Sequence, residues 1–332
     1  MTVAVLVLVG GLLDNCRFGG LELQPRAVVP RVTGRLSAKS PALTKARTEG
    51  RLGSWTMQYS ARAHSPVPRL GEGLSLRRMP AHWMLGRLGK RVMRPGGFEP
   101  SRAMVTELAI EPSDDVVEMW PGLGRTTALA AGFGPRSYVG IERGPAEAAR
   151  AQPMMPSEQR CIVAPVHNTG LPSGCASVVF GEALLTLEPI SRKHAIVEEA
   201  FRLLRPGGRY GIHELLLQPD SLSERAKAEV QRELTKVLAV GARPLTRSEW
   251  HALLEDGGFH VRNDAISPLL LLDPKTVVAD EGVGGTLSIA VRALLHPTVL
   301  PRLVNILQVF RRYGETLGAI TVVADAFPGP NR

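Results

Sequence analysis

Cysteine is scarce in this sequence: Cys16, Cys161 and Cys175 are the only three among 332 residues, and no two share a CxxC spacing. An odd, scattered set excludes a disulfide framework and a thiolate zinc site, and it fits a reducing, cytoplasmic compartment. The eight histidines contain no HExxH and no close pair, so no metal-ligand signature is present. Long apolar runs are missing too. The opening "MTVAVLVLVGGLLDNC" is shorter than the roughly 20 residues that cross a bilayer. It also lacks the basic flank and small-residue cleavage site of a signal peptide, so a stray strand or an over-long start is expected there. Acidic residues are rare at the amino end: residues 1–95 hold 16 Lys+Arg against 4 Asp+Glu. The remaining 24 and 27 leave residues 96–332 at −3, so the overall +9 belongs to the leader and not to the folded part. That split argues against a specific nucleic-acid partner.

Residues 1–78 are rich in Arg, Pro, Gly and Ser, as in "SARAHSPVPRLGEGLSLRRMP", and show no sustained period of 2 or 3.6. A segment of that kind cannot bury enough apolar surface to offset its chain entropy, and disorder is expected. A folded domain is expected over 79–332. It opens with an amphipathic helix in "MPAHWMLGRLGKRVMRPGG" and a second in "PSRAMVTELAI", with Ser101 as N-cap. Strands and helices then alternate. Strands are read at Val116–Met119, "SYVGIER", "RCIVAPV", "CASVVFGEAL", "RYGIHELLL", "HVRNDAISPLLLL" and "GAITVVADAF". The helix "TRSEWHALLEDGGF" has Thr246 and Glu249 at capping-box spacing and a Gly-Gly stop. The expected fold is α/β: a Rossmann-like, doubly wound, mostly parallel seven-stranded sheet with helices on both faces. A helical insertion, about 274–314, precedes the last strand. There Thr286–Leu295 and Val299–Tyr313 read as two apolar helices. Val299, Leu300, Leu303, Val304, Leu307 and Phe310 form a stripe suited to an acceptor lid or a homodimer contact.

The stretch "DDVVEMWPGLGRTTALAAGFG" passes from strand through a glycine turn into a helix. Gly122-Leu-Gly124 is followed by Arg125, Thr126 and Thr127, so the third glycine of a pyrophosphate turn is missing. With "YVGIER", "TGLPSGCASVVFGEALL" and "EEAFRLLRPGGRYGIHE", in that order, the stretch resembles the class I S-adenosylmethionine (SAM)-dependent methyltransferases. Within them it is similar to the small-molecule branch that includes ubiquinone- and menaquinone-type C-methyltransferases. The resemblance covers roughly residues 80–325.

The resemblance implies SAM as cofactor. It places Glu118 toward the ammonium group, Gly122 and Gly124 where the backbone must approach closely, and Glu142 on the ribose hydroxyls with Arg143 beside it. Two departures stand out. Trp120 occupies the first glycine position of the family loop, where a negative φ would accommodate it. Ala164-Pro165-Val166 replaces the family's Gly-Asp-Ala, leaving the Val166 N–H and His167 to meet the adenine. Candidate groups for the chemistry sit at the carboxyl ends of the fourth and fifth strands: Glu182, and His213 or Glu214 as a base for an acceptor that must lose a proton. "GEALLTL" after the fourth strand is unlike the Asx-Pro-Pro-aromatic loop of base methylases. The expected activity is therefore methyl transfer to a small, fairly apolar acceptor, at carbon or oxygen, without a membrane span. The alternative is a non-catalytic, ligand-binding relative of the fold.

One expectation follows from composition alone. Removing residues 1–78, which hold 12 Lys+Arg against 4 Asp+Glu, should shift net charge by −8 and leave the thermal midpoint of the domain nearly unchanged. A drop of several degrees in a scan of the shortened chain would show that part of the leader packs on the domain.

Overall fold

The computed structural model describes residues 71–156 and 159–327. The expected disordered leader therefore falls almost wholly outside the described residues. Its last eight residues do not: Leu76 packs with the first helix, and Arg87 Nη2 donates to the Gly71 carbonyl at 2.9 Å. Among the described residues, contacts with the domain thus already include Gly71, eight residues before the expected start at Met79.

Helices α1 (Ala81–Leu88) and α2 (Phe98–Glu107) precede the sheet. Strands β1 (Asp115–Met119), β2 (Ser137–Glu142), β3 (Arg160–Val163), β4 (Ala176–Glu182) and β5 (Leu204–Leu217) follow. They alternate with α3 (Arg125–Ala131), α4 (Pro145–Ala151) and α5 (Ile190–Leu203). Next come α6 (Glu224–Leu238), the two-residue β6 (Leu245–Thr246), α7 (Arg247–Asp256) and β7 (Phe259–Pro268). The chain closes with α8 (Pro274–Leu295), α9 (Leu300–Arg312) and β8 (Leu317–Ala326). Seven strands lie in the order β3-β2-β1-β4-β5-β8-β7, and β6 pairs with β5 off that path. β1 to β5 are parallel, while β8 runs antiparallel to both its neighbours. The order reverses between β1 and β4, which opens a crevice at their carboxyl ends.

β1 and β4 are Val-rich because both of their faces are covered. On one face Ile196, Val197, Ala200 and Leu203 of α5 pack with Trp250 and Leu253 of α7. On the other, Met104 and Val105 of α2 and Leu108 just after it meet Ala130 and Ala151 of α3 and α4. A third cluster forms a roof. There Met79, Met84, Leu85 and Leu88 pack against Ile289 and Ala293 of α8 and against Leu303 and Ile306 of α9.

The capping box forms as read: Thr246 N donates to Glu249 Oε2 at 2.8 Å, and Glu249 N to Thr246 Oγ1 at 3.4 Å. Elsewhere the structure departs from the sequence reading. Ser101 is not an N-cap but lies buried inside α2, which starts after Gly97. β7 ends at Pro268, and Leu270 N bonds to the Pro95 carbonyl at 2.8 Å instead of continuing the ladder. α8 begins twelve residues before the expected Thr286, capped by Asp273 and broken at Gly282 (φ 75°, ψ 166°). The Leu303 and Leu307 stripe is occupied within the chain, since it packs against α1 in the roof. The large apolar side chains that stay exposed in the insertion are on α8 instead: Val283, Leu287, Val291, Leu294 and Leu295.

Leu303→Ala should therefore weaken the fold by about 2–5 kcal/mol, the usual cost of such a cavity. Urea unfolding would measure it, and a change near zero would mean that the roof carries little of the domain's stability.

Candidate active site

A cavity of about 180 Å³ opens at the carboxyl ends of β1, β2 and β4, under the roof. One end is built on the loop from Trp120 to Thr126, with Glu142 and Arg143 from the end of β2 and His82 and Trp83 from α1. The other end is apolar: Leu187, Leu215, Leu238, Val240, Leu271 and Phe310. Arg94, Glu182 and Ala183 lie on the same wall system.

The loop takes its shape from three residues with positive φ: Trp120 (56°), Gly122 (64°) and Gly124 (72°). Trp120 does not take the negative φ that would accommodate its side chain without strain. Its N–H extends the ladder to the Ile141 carbonyl (2.9 Å), which holds the backbone in a region costing an L-residue roughly 1–2 kcal/mol. Its indole stacks under the Arg143 guanidinium, 4.5 Å from the ring centroid, with Trp83 on Arg143 at 5.8 Å. Gly122 N donates to Glu142 Oε1 at 2.7 Å. A Cβ on Gly122 would meet only the Trp120 carbonyl, at 3.9 Å, whereas one on Gly124 would lie 2.4 Å from Met154 Cγ. Space beside Gly122 is open; space beside Gly124 is filled by the protein.

Four buried polar atoms around this loop have no hydrogen-bond partner: Glu118 Oε1, Trp120 Nε1, Arg125 Nε and Thr126 Oγ1. Trp120, Arg125 and Thr126 line the cavity. Glu118 does not, and its Oε2 accepts from Thr127 Oγ1 (2.6 Å) and Tyr138 OH (2.7 Å). Burial pushes the Glu118 carboxyl up to about 7, more than those two hydrogen bonds pull it down. Burial also raises Glu142, against the Gly122 N–H and the Arg143 charge.

The groups expected to carry acid–base chemistry are committed elsewhere. Burial alone would raise the Glu182 carboxyl, but the Arg94 charge and hydrogen bonds from His213 and Ser101 hold it well below the usual carboxylate range. Arg94 Nε lies 2.8 Å from Glu182 Oε2, and Ser101 Oγ donates to Oε1. His213 Nδ1 sits 3.2 Å from Glu182 Oε1 and 3.1 Å from Ser101 Oγ, with the ring fully buried and outside the cavity lining. Glu214 accepts the N–H groups of Leu184, Leu185 and Thr186 at 2.8–2.9 Å. Its carboxylate folds the loop after β4 and does not line the cavity, so the geometry gives it a structural task in place of the expected base role.

Val166 and His167 are also absent from the lining. The Val166 side chain is in the core, and His167 pairs with Arg192 Nη1 at 2.8 and 3.0 Å. His82 and Trp83 are among the lining residues that the sequence does not single out as functional. Burial first, and then Arg143, hold the His82 imidazole down at about 4, so it is neutral near pH 7. Their only signal was position on an amphipathic helix whose apolar side was read as core. Arg94 and Ser101 were missed because nothing near them in sequence carries the carboxylate they bind.

A family model described as "Methyltransferase domain" matches residues 117–212, the span from β1 into β5. A Haemophilus influenzae protein, itself described only as uncharacterized, is 28% identical over 219 residues, covering 64% of this chain and 85% of its own. The fold is shared with a sarcosine dimethylglycine methyltransferase structure from Galdieria sulphuraria (TM-score 0.56, 12% identity, 68% of this chain and 85% of that one). It is also shared with a 4+2 cyclase (TM-score 0.57, 13% identity, 80% and 100%). With the glycine loop at the carboxyl end of β1, Glu142 closing β2 and the reversal of strand order between them and β4, the chain has the fold of the class I, SAM-dependent methyltransferases, and its residues 117–212 match a methyltransferase domain.

Proposed function

We propose that the protein transfers a methyl group from SAM to a small, apolar acceptor, with binding and positioning as the protein's main contribution. The observation that carries this reading is the set of orphaned polar atoms at one end of a cavity whose other end is apolar. Buried donors and acceptors are nearly always paired in folded proteins, and Trp120, Arg125 and Thr126, whose polar atoms are buried without partners, line the end of the cavity that a polar ligand would fill. Glu142 suits the ribose hydroxyls, and the amino end of α3 with Arg125 suits a carboxylate. When bound there, SAM supplies an electrophilic methyl on a sulfonium.

The acceptor would occupy the end formed by Leu187, Leu215, Leu238, Val240, Leu271 and Phe310. None of these side chains titrates. Glu182, the nearest carboxylate of those expected to act as a base, is fixed in an ion pair. The arrangement therefore favours an acceptor that is already nucleophilic, aligned in a dry site, over one that this chain must deprotonate. A second reading, ligand binding without methyl transfer, draws on Trp120 and its stack with Arg143 at the loop. The 4+2 cyclase shows that a shared fold does not by itself decide the chemistry.

Calorimetry with SAM tests binding, and radiolabelled methyl transfer to apolar acceptors that are already nucleophilic, such as thiolates and stabilised enolates, tests the reaction. Glu142→Ala should lower SAM affinity 10- to 100-fold, on the order of one or two charge-assisted hydrogen bonds. Gly122→Val should lower it further, by filling the open space beside the loop. Wild-type protein that ignores millimolar SAM would sink the proposal.

Glu118 gives a pH signature. Its folded-state value is raised above the ordinary 4.5, so the stability it contributes is complete below 4.5 and is lost as pH rises through about 7. The loss amounts to roughly 3 kcal/mol for this fully buried group. Urea midpoints of wild type should fall across that window relative to Glu118→Gln. A ligand ammonium beside Glu118 would favour the ionised form, so SAM binding near neutral pH should release protons, read as buffer-dependent binding enthalpy. Parallel pH profiles for wild type and variant would show that the carboxyl is not perturbed.

A further inference from the structure

Arg94 is only 9% exposed and lines the cavity, yet most of its guanidinium is unpaired. A guanidinium carries five N–H donors in a planar fork, and against a carboxylate it usually sets two of them side by side. Here only Nε reaches Glu182, at 2.8 Å from Oε2. The second prong finds no acceptor, because Glu182 Oε1 takes the Ser101 hydroxyl and lies 3.2 Å from His213 Nδ1. Among the described residues, Arg94 Nη1 and Nη2 have no hydrogen-bond partner. They are not sealed in the core either, as Arg125 Nε and Lys90 Nζ are, and both keep accessible surface. Unpaired donors on a buried cation call for a partner.

Position says what that partner is. β4 lies between β1 and β5 in the sheet. The loop end of the cavity follows β1, and Leu215 of β5 belongs to the apolar end. Glu182, closing β4, therefore holds Arg94 where the two ends meet. The other guanidiniums on the lining are placed differently. Arg91 is tied to Glu281, Arg143 stacks on Trp120, Arg150 bonds back to the Ala146 carbonyl, and Arg125 belongs to the loop. The apolar side chains of the far end offer a ligand no hydrogen bond of their own.

We propose that Arg94 binds the acceptor through an anionic oxygen, so that the acceptor is an apolar molecule carrying an enolate, phenolate or carboxylate group. The proposal rests on the reading of the apolar end as the acceptor site for methyl transfer, and it narrows the class of acceptor. A guanidinium beside an acidic O–H favours its ionised form. Arg94 thus takes over part of a base's work, keeping the acceptor deprotonated without moving a proton itself. Glu182 pins the guanidinium by one prong and leaves the other open.

The test compares 2-naphthoate with its neutral isostere 2-naphthamide, with binding to the full chain read by calorimetry. Wild type should bind the carboxylate roughly tenfold or more tightly than the amide, the margin of a hydrogen bond between charged groups. Truncating Arg94 alone would strand the Glu182 charge, so the first variant is Arg94→Met/Glu182→Gln, which removes both charges. It should bind the two probes equally. If that variant does not fold, Arg94→Lys decides: its ammonium keeps the pair with Glu182 but presents no fork, and the preference should fall severalfold. No preference in wild type, whether both probes bind or neither does, overturns the proposal. A preference undiminished in the folded variant overturns it as well. SAM titrated alongside separates the two readings, since wild type that ignores SAM but prefers the carboxylate ends methyl transfer and leaves Arg94 an anion site.

Discussion

One buried carboxylate holds the cavity together. Glu182, at the end of β4, accepts from Arg94 on the segment after α1 and from Ser101 within α2, and it lies against His213 on β5. Each of these elements could pack in its place through apolar contacts alone, but their positions relative to the crevice would then be loosely set. The ion pair fixes them. Its net contribution to stability is small, since desolvating two charges offsets most of their attraction, yet removing one partner typically costs 3–5 kcal/mol. The pair therefore works as a constraint on geometry. It keeps Arg94, Pro95 and Phe98 on the cavity wall, and it consumes the carboxylate that would otherwise be available to move a proton.

A similar use of charge recurs in the roof. Glu281 accepts the N–H groups of Arg91 and Val92 and the Arg91 guanidinium, while Asp280 accepts the Phe98 N–H. These bonds tie α8 to the segment between α1 and α2 across almost two hundred residues of chain. Lys90 is buried beside them with no hydrogen bond to its ammonium, and burial lowers its proton affinity more than Glu281 and Asp280 restore it. The roof thus combines an apolar cluster with a polar seam, and the seam sets which part of α8 faces inward.

The sheet was legible because its signals are local. Val-rich runs, the Gly turn after β1 and the Thr246–Glu249 capping box each specify backbone over a few residues, and all appear where expected. The loop end of the cavity is legible for the same reason: Gly122, Glu142 and Arg143, which line it, sit at strand ends that periodicity locates. The rest depends on side chains meeting across long separations. Ser101 has the chemistry of a cap, but α2 starts four residues earlier than a cap there implies, after Gly97. Glu214 and His213 looked reactive because sequence reveals their chemistry but not their neighbours, three backbone N–H groups for one and a clamped carboxylate for the other. Leu303 and Leu307 looked like a lid over a substrate, and they are packed against α1, whose apolar side needed a partner that only the fold reveals.

The two glycines of the loop at β1 are held by different forces. Gly124 is kept by Met154, which leaves no room for a methyl group, so a change there would be felt by the folding chain. Gly122 faces no such neighbour. Its positive φ favours glycine all the same, and Trp120 two residues earlier takes such a φ only at the cost of backbone strain. Backbone conformation therefore accounts for glycine at both positions, but only at Gly124 does a neighbouring side chain add to it. A residue added at Gly122 would be strained and would also stand in the space beside the cavity, so one substitution there acts on the loop and on whatever the cavity receives.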